Sequence, residues 1–387
     1  MSTLKVDAIR HNSATSDAIT TAADGTCTAK LTSVGGGQLS HRNLVINGAM
    51  LVAQRGVSST DQLYSTVDRI RAARSSVDEN PTFSQVDVAS GTTPYSLGFR
   101  KAFKVTNGNQ TSGAGSNDVI SFQYRLEAQD VANSGWDYTN TNSFITLQFW
   151  VKSSVAQNFY IRLTTQDGTA KQYSVETGVL SANTWTKVIK TISGHADLQF
   201  DNDANRGFNI DFSMFRGTDQ TGSGVTLNQW ANVDNNARIP NMTSTWYTTN
   251  DATFEVTGLQ LEVGDTATSF EHRSYADELR LCQRYYQQLR GALTGVGANS
   301  TTIRSCYAPI VNFRASPTIT GSNPVTFNNP GINSPTQSSF NCGLIFTYQP
   351  SKIGMVLGFG NFSNATNQYT YLQWDGDSDY IFMDAEL

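Results

Sequence analysis

Alternation is the clearest signal along the chain. Ile120, Phe122, Tyr124 and Leu126 alternate with Ser121, Gln123, Arg125 and Glu127, the period-two pattern of a strand with one wet face. Phe144-Ile145-Thr146-Leu147-Gln148-Phe149-Trp150-Val151 repeats the signal more strongly, and Phe159 to Leu163 follows. Further strands are expected near Phe99 to Val105, Tyr173 to Val175, Trp185 to Ile192, Phe208 to Phe215 and Ala252 to Val263. Asn107-Gly108, Asp167-Gly168 and Ser193-Gly194 supply turn chemistry between them. Roughly eight to ten strands in one segment predict a two-sheet jelly roll over residues 41–273.

The period changes after Val263. Gly264-Asp265 ends a strand carrying Leu259, Leu261 and Val263. Ser274 and Asp277 then stand at capping-box spacing, so a helix is expected to begin near Tyr275. Tyr275, Leu279, Cys282, Tyr286 and Leu289 recur at steps of four and three, Leu281 and Tyr285 widen the stripe, and Gly291 is placed to end it. This predicts a connecting helix over 274–291 whose apolar face packs on a domain or on the same helix of neighbouring subunits. Glu278 falls within that arc and would need a partner if buried, with Arg69, Arg71 and Arg273 as candidates.

Short apolar segments at Tyr307 to Phe313, Leu344 to Tyr348, Ile353 to Phe359 and Tyr369 to Trp374 predict a small C-terminal β-sandwich over 292–387. At the other end, residues 1–40 are rich in Ser, Thr, Ala and Gly, and Leu4, Val6, Ile9, Ile19 and Leu31 cannot enclose a core. Asp24-Gly25 reads as a hairpin turn and Gly35-Gly36-Gly37 as a hinge. The expectation is an all-β protein: an extended N-terminal attachment segment that needs partners, a jelly-roll sandwich, one connecting α-helix and a second small sandwich.

Composition narrows the chemistry. Hydrophobic residues at 38 % suffice for real cores, whereas charged residues at 15 % suit β surfaces and turns better than long helices. A net charge of −5, with no Lys/Arg cluster interleaved with aromatics, gives no footprint for nucleic acid. No apolar run is long enough to span a bilayer, and no signal-peptide core follows Met1 to Lys5, so no membrane insertion is expected and synthesis and retention in the cytoplasm are. Cys27, Cys282, Cys306 and Cys342 lack zinc or disulfide spacing and read as reduced packing residues.

Asp201-Asn202-Asp203-Ala204-Asn205-Arg206-Gly207 resembles a calcium loop, but its glycine is one place late and position twelve is Phe212, which excludes an EF-hand. That stretch and Asp375-Gly376-Asp377-Ser378-Asp379 read as turns, and no metal or cofactor is expected. There is no GxSxG, HExxH or phosphate-cradling glycine loop, and His11, His41, His195 and His272 sit beside no nucleophile, so no catalytic residue is assigned. Two carboxylates meeting across a cleft remain open, as in a glycan hydrolase.

Sugar recognition needs aromatic faces beside Asp, Asn or Gln side chains. Trp136, Tyr138, Trp230, Trp246, Tyr247 and Trp374 stand in loop-like contexts of that kind and are the candidate glycan contacts. Each also reads as a core or subunit-interface aromatic, and Trp150 and Trp185, being on strands, are assigned to the core.

The segment LQLEVGDTATSFEHRSYADELRLCQRYY resembles a pattern, LE-x-G-x-x-AT-x-FE-x-R-x-Y-x-x-E-L-x-x-C-x-R-Y, found in phage tail-fibre and related virion proteins. The resemblance extends back to Asn43-Leu44-Val45-Ile46-Asn47-Gly48-Ala49-Met50 with Ala53-Gln54-Arg55-Gly56, and forward to Arg314-Ala315-Ser316-Pro317-Thr318 and Asp384-Ala385-Glu386-Leu387. One departure is Ile70 after Asp68-Arg69, where the family usually has an aromatic residue. Phe149 to Ser153 with Thr184 to Val188 is also similar to carbohydrate-binding-module jelly rolls. These resemblances imply a non-enzymatic tail-fibre component of a tailed phage. It would be assembled as a homotrimer in the bacterial host cytoplasm, attached to other tail proteins through its N-terminal segment, and able to bind host-surface polysaccharide. A purely architectural head or tail decoration protein and a polysaccharide depolymerase are the alternatives.

Overall fold

In the computed structural model the alternating segments form two antiparallel six-stranded sheets packed face to face. The structure describes residues 6–10, 12–13, 15, 17–29, 40–289, 293–321, 326–328, 337–339, 341–345, 354–362, 369–373 and 381–387. Sheet I has the order Trp230–Asn232, Lys171–Val179, Asn158–Thr165, Arg206–Arg216, Val119–Glu127, Ile70–Ser75. Sheet II has the order Thr186–Ser193, Phe144–Ser153, Thr253–Val263, Lys101–Thr106, Thr82–Asp87, Ser58–Ser59. The all-β jelly-roll expectation holds.

Alternation decides what lies between the sheets. Phe122 stacks on Phe212 with ring centroids 4.6 Å apart, Phe149 meets Phe212 edge-on at 5.0 Å, and Phe159 meets Phe254 at 4.8 Å. Burying each such side chain contributes about 1.5–3 kcal/mol. The strand Thr253–Val263 bulges between Thr257 and Gln260, where Gly258 takes φ 65°. At that bulge Leu259 N donates to Gly48 O at 2.9 Å. A Cβ on Gly48 would lie 2.1 Å from Leu259 O, so only glycine lets the 43–50 segment close on the strand.

The C-terminal residues build the second sandwich. Ile381–Asp384 is the central strand of a three-stranded sheet, flanked by Tyr286–Leu289 and Thr318–Gly321. A six-stranded sheet runs Thr326–Asn328, Tyr369–Gln373, Leu293–Asn299, Thr302–Tyr307, Met355–Phe359, Cys342–Leu344. Ile303, Phe313, Leu357, Phe359, Ile381 and Met383 form its small core. Near the N-terminus, Ala8–Ile9, Ile19–Thr21 and Cys27–Ala29 make a separate three-stranded sheet. Asp24 turns its hairpin by accepting from Thr26 N at 2.9 Å. Gly35-Gly36-Gly37 lies outside the described residues.

Three sequence expectations are corrected here. The helix spans Tyr275–Gln283 rather than 274–291. Ser274 caps it as expected, accepting from Asp277 N, but the chain leaves the helix at Arg284 because Tyr286–Leu289 pairs with Ile381–Asp384. Tyr286 and Leu289 are therefore strand residues. The strand expected over Tyr307 to Phe313 instead occupies Thr302–Tyr307. Trp150 and Trp185 do not join the intersheet core. They lie half-buried on the outer side of sheet II, in a satellite cluster with Phe99, Ala102 and Phe270.

Candidate functional site

The loop aromatics are packing residues in this structure, which corrects their assignment as glycan-stacking faces. Trp136 is buried against Phe200, and Tyr138 meets Phe200 edge-on at 5.0 Å while staying half-buried. Buried Trp230 donates from Nε1 to Ser193 O at 2.8 Å and lies edge-on to Tyr173. Trp246 donates to Thr253 O at 3.0 Å, and Tyr247 stacks on Phe215 at 4.3 Å while its hydroxyl donates to Asp118. The Trp230 and Trp246 Nε1 donors and the Tyr247 hydroxyl reach partners because their loops fold back over the sandwich, whereas buried Trp136 Nε1 has none among the described residues, and a sequence window shows neither. Trp374 lies outside the described residues.

The side of sheet I away from the core is polar from edge to edge. Register places Arg71 opposite Gln123, Gln123 opposite Asp211, Asp211 opposite Arg162 and Arg162 opposite Ser174. A neighbouring row runs Arg125, Asn209, Thr164, Gln172. Half-buried Tyr160 stands two residues from Arg162 on the same side, opposite Ser213 and Glu176.

Many of these groups satisfy one another. Arg162 donates to Gln172 Oε1 from Nε at 3.0 Å, Arg216 pairs with Asp211 Oδ2 at 2.7 Å, and Ser174 donates to Arg238 O at 2.9 Å. Two acceptors are left over. Asn209 Oδ1 and Asp211 Oδ1 have no hydrogen-bond partner among the described residues, although their residues are only 7 % and 5 % exposed. Such lone pairs call for a hydroxyl or a water. Burial pushes Arg162 down to about 10, with Arg238 and Arg216 adding to the effect. Burial does the same to Arg125, also down to about 10, with Arg71 and Arg206 contributing.

Two clefts adjoin this face. One, of about 400 Å³, is lined by Gln172, Ser174, Gln229, Asn232 and Asp234. The other, of about 840 Å³, opens between the two sandwiches, with Tyr64 and Arg71 on one wall and Thr320 and Phe382 on the other.

The residues that carried the tail-fibre resemblance meet at the seam between the sandwiches. Arg284 grips Glu127 with two bonds of 2.8 Å, and Glu127 is 0 % exposed. Arg69, at φ 70°, pairs with Glu386, donates to Arg125 O at 2.6 Å and lies 3.4 Å from the Tyr285 ring centroid. Arg55 pairs with Asp384 at 3.0 Å and stacks on Tyr286 at 3.6 Å. Arg314 donates to the carbonyls of Ala385, Glu386 and Ala204. Asn47 binds Val52 through both side-chain ends, and its N–H donates to Glu278 at 2.7 Å. Arg273, among the candidates named for Glu278, completes that site at 3.4 Å.

The helix face divides accordingly. Glu278, Cys282 and Tyr285 point into the chain, Tyr286 and Leu289 are buried beyond the helix, Leu279 is half-buried and Tyr275 is 58 % exposed. Cys282, Tyr286 and Leu289 thus lie inside the protomer and form no outer surface. Burial raises the Cys282 thiol well above its ordinary value, so that thiol stays protonated.

No protein-family model and no curated protein matches the chain. Among solved structures it is similar to the enzymatically active domain of bacteriophage CBA120 tailspike protein 4, at 11 % identity and TM-score 0.31, over 57 % of this chain and 21 % of that one. It is also similar to the N-terminal cellulose-binding domain of Cellulomonas fimi β-1,4-glucanase C, at 10 % identity and TM-score 0.26, over 56 % of this chain and 100 % of that one. A family 11 carbohydrate-binding module from Clostridium thermocellum, in complex with a β-1,3-1,4-mixed-linked tetrasaccharide, matches at 11 % identity and TM-score 0.24, over 56 % of this chain and 98 % of that one. The chain spans about a fifth of the tailspike domain's length.

Proposed function

We propose that this protein is a non-enzymatic structural component of a tailed-phage virion, a tail fibre that binds host-surface glycan as a homotrimer. The observation that carries the glycan reading is the polar side of sheet I. It sets two unpartnered buried acceptors, Asn209 Oδ1 and Asp211 Oδ1, beside guanidinium and amide donors and the half-buried Tyr160 ring. A sugar ring offers hydroxyl donors, hydroxyl acceptors and C–H faces together, the combination this surface would satisfy. The virion reading rests on the resemblance carried by residues 259–286 and 314–318. The N-terminal segment 1–40 would join neighbouring tail proteins, and repetition of a weak site around the oligomer would supply avidity.

Binding of the purified full chain to polysaccharide from bacterial surfaces tests the glycan reading. Tyr160→Ala is expected to weaken that binding about tenfold, a loss of the size of one aromatic contact, while leaving the melting temperature near that of the parent. A folded oligomer that binds no surface glycan would instead favour an architectural protein. Released reducing ends would overturn the non-enzymatic assignment, and light scattering tests the trimer.

A further inference from the structure

A third cleft, of about 420 Å³, is shared by the chain at 41–46, the turn around Ala128–Ala132 and the helix Tyr275–Gln283. Leu44, Ile46, Val263 and Leu281 line it with apolar surface, and Gln129, Asp130 and Asn133 bring side-chain oxygens to it. Leu281 is 36 % exposed, so the cleft opens to solvent.

The guanidinium groups that line this cleft or stand behind it are matched. Arg273 pairs with Glu271 and Glu278, Arg284 with Glu127 and Arg69 with Glu386, and Arg42 Nε lies 3.8 Å from Glu262. Asp130 is the exception. It joins no ion pair and accepts no hydrogen bond among the described residues. The residue is half-buried, so its carboxylate is still within reach of solvent. Burial, and after it the negative charge of Glu127, pushes Asp130 up to about 6 against the pull of Arg284 and Arg69. It is therefore mostly charged at neutral pH while lacking the partner that such a group calls for.

Its neighbours are left with acceptors as well. Gln129 spends its amide N–H on Glu127 Oε2 at 2.5 Å, and Asn133 spends its own on Gln129 O at 2.7 Å and Asn202 Oδ1 at 2.8 Å. A carboxylate and a backbone carbonyl only accept, which fixes both amides with nitrogen toward these partners and leaves their oxygens over.

We propose that this cleft binds a primary alkylammonium group, its N–H donors on Asp130, Gln129 and Asn133 and its methylene stem on Leu44, Ile46 and Leu281. An ammonium has three donors and no acceptor, which suits a set of leftover acceptors, and its stem buries against apolar side chains while the charged head stays near water. A neutral hydroxyl would leave the Asp130 charge unmatched. The proposal stands apart from the glycan reading. Such a group is carried by a lysine side chain of a partner protein and by free polyamines.

The test titrates the full chain at neutral pH with cadaverine, with an acetylated and amidated Gly-Lys-Gly peptide, and with pentanediol as the neutral mate of cadaverine. At least one amine should bind about tenfold more tightly than the diol, the worth of one hydrogen-bonded charge pair, and rising salt should shrink that margin. The tighter amine names the source, a lysine side chain for the peptide and a polyamine for cadaverine. Asp130→Asn should remove the margin without lowering the melting temperature, and Leu281→Gln, at the exposed rim, should weaken the amines severalfold in a folded protein. Amines that bind no better than the diol, a margin that survives Asp130→Asn, or full affinity in Leu281→Gln would each overturn the site.

Discussion

Between sheets I and II, Phe122, Phe149, Phe159, Phe212 and Phe254 meet ring to ring within one apolar cluster. Where the C-terminal sandwich meets the jelly roll, Arg55, Arg69, Arg284 and Arg314 instead hold carboxylates and carbonyls against tyrosine faces. The two kinds of contact fail differently. An apolar core loses stability in proportion to the volume removed, because its contacts are many and individually weak. A buried ion pair fails abruptly, because removing one partner strands the other in a medium that cannot solvate it. The jelly roll thus has an apolar core of its own, and the smaller sandwich is fastened to it by a lock that depends on a few atoms.

The largest expected effect is at that lock. Arg69→Met should cost about 3–5 kcal/mol by leaving Glu386 poorly matched, and calorimetry should show the C-terminal sandwich melting earlier while the jelly roll melts as before. A single transition moving as a whole would mean that the two sandwiches unfold together.

Acidity supplies the next discrimination. Burial raises Asp68 from 3.8 to about 6, against the opposing pull of Arg55. The folded state therefore holds a proton that the unfolded chain has released between those values, so this group's stabilising contribution is full below pH 3.8 and is lost as pH rises through about 6. At most about 3 kcal/mol is involved. Asp68→Asn should flatten that part of the pH dependence, read as the difference in urea midpoints at pH 4 and pH 7. An unchanged slope would mean that Asp68 ionises normally in the fold.

In the core, Phe122→Leu removes ring volume and should cost about 0.5–3 kcal/mol, by the same amount at any pH between 4 and 8. A pH-dependent penalty would blur the contrast between core and lock. The smallest effect is at the helix start. Ser274→Ala removes an exposed cap and should cost about 0.5–1 kcal/mol, with Ser274→Asp restoring most of it.

The strands of the jelly roll were legible because each carries its own alternation. Ile120 to Leu126 declares both faces without help from its neighbours, and the structure extends it by a residue at either end, to Val119–Glu127. The start of the helix was legible for the same local reason, since Ser274 and Asp277 are three residues apart. Its end was not. Tyr286 and Leu289 continue the helical spacing, but pairing with Ile381–Asp384, far away in sequence, overrides it.

The polar face of sheet I was half legible. Ser121, Gln123 and Arg125 read as wet positions, but nothing in their order reveals that Asn209 and Asp211 lie beside them on another strand. Glu278 stood out as a charge on an apolar arc, and Arg273 was among its named candidates. Glu127 and Arg284, 157 residues apart, gave no such sign. The aromatics misled because a tryptophan in a loop looks the same whether the loop stands off or folds back.

The place of Ile381–Asp384 between Tyr286–Leu289 and Thr318–Gly321 also sets an order of events during synthesis. The jelly roll's last strand, Thr253–Val263, leaves the ribosome more than a hundred residues before the strand that closes the smaller sheet. Until residues 381–387 emerge, Tyr286–Leu289 and Thr318–Gly321 each show an unsatisfied edge, and Arg55 and Arg69 lack the Asp384 and Glu386 carboxylates. A chain cut short by proteolysis or premature termination would carry a finished first domain next to a sticky, half-paired remnant. Closure of that sheet therefore waits on the synthesis of Ile381–Asp384, the strand that pairs with both edges.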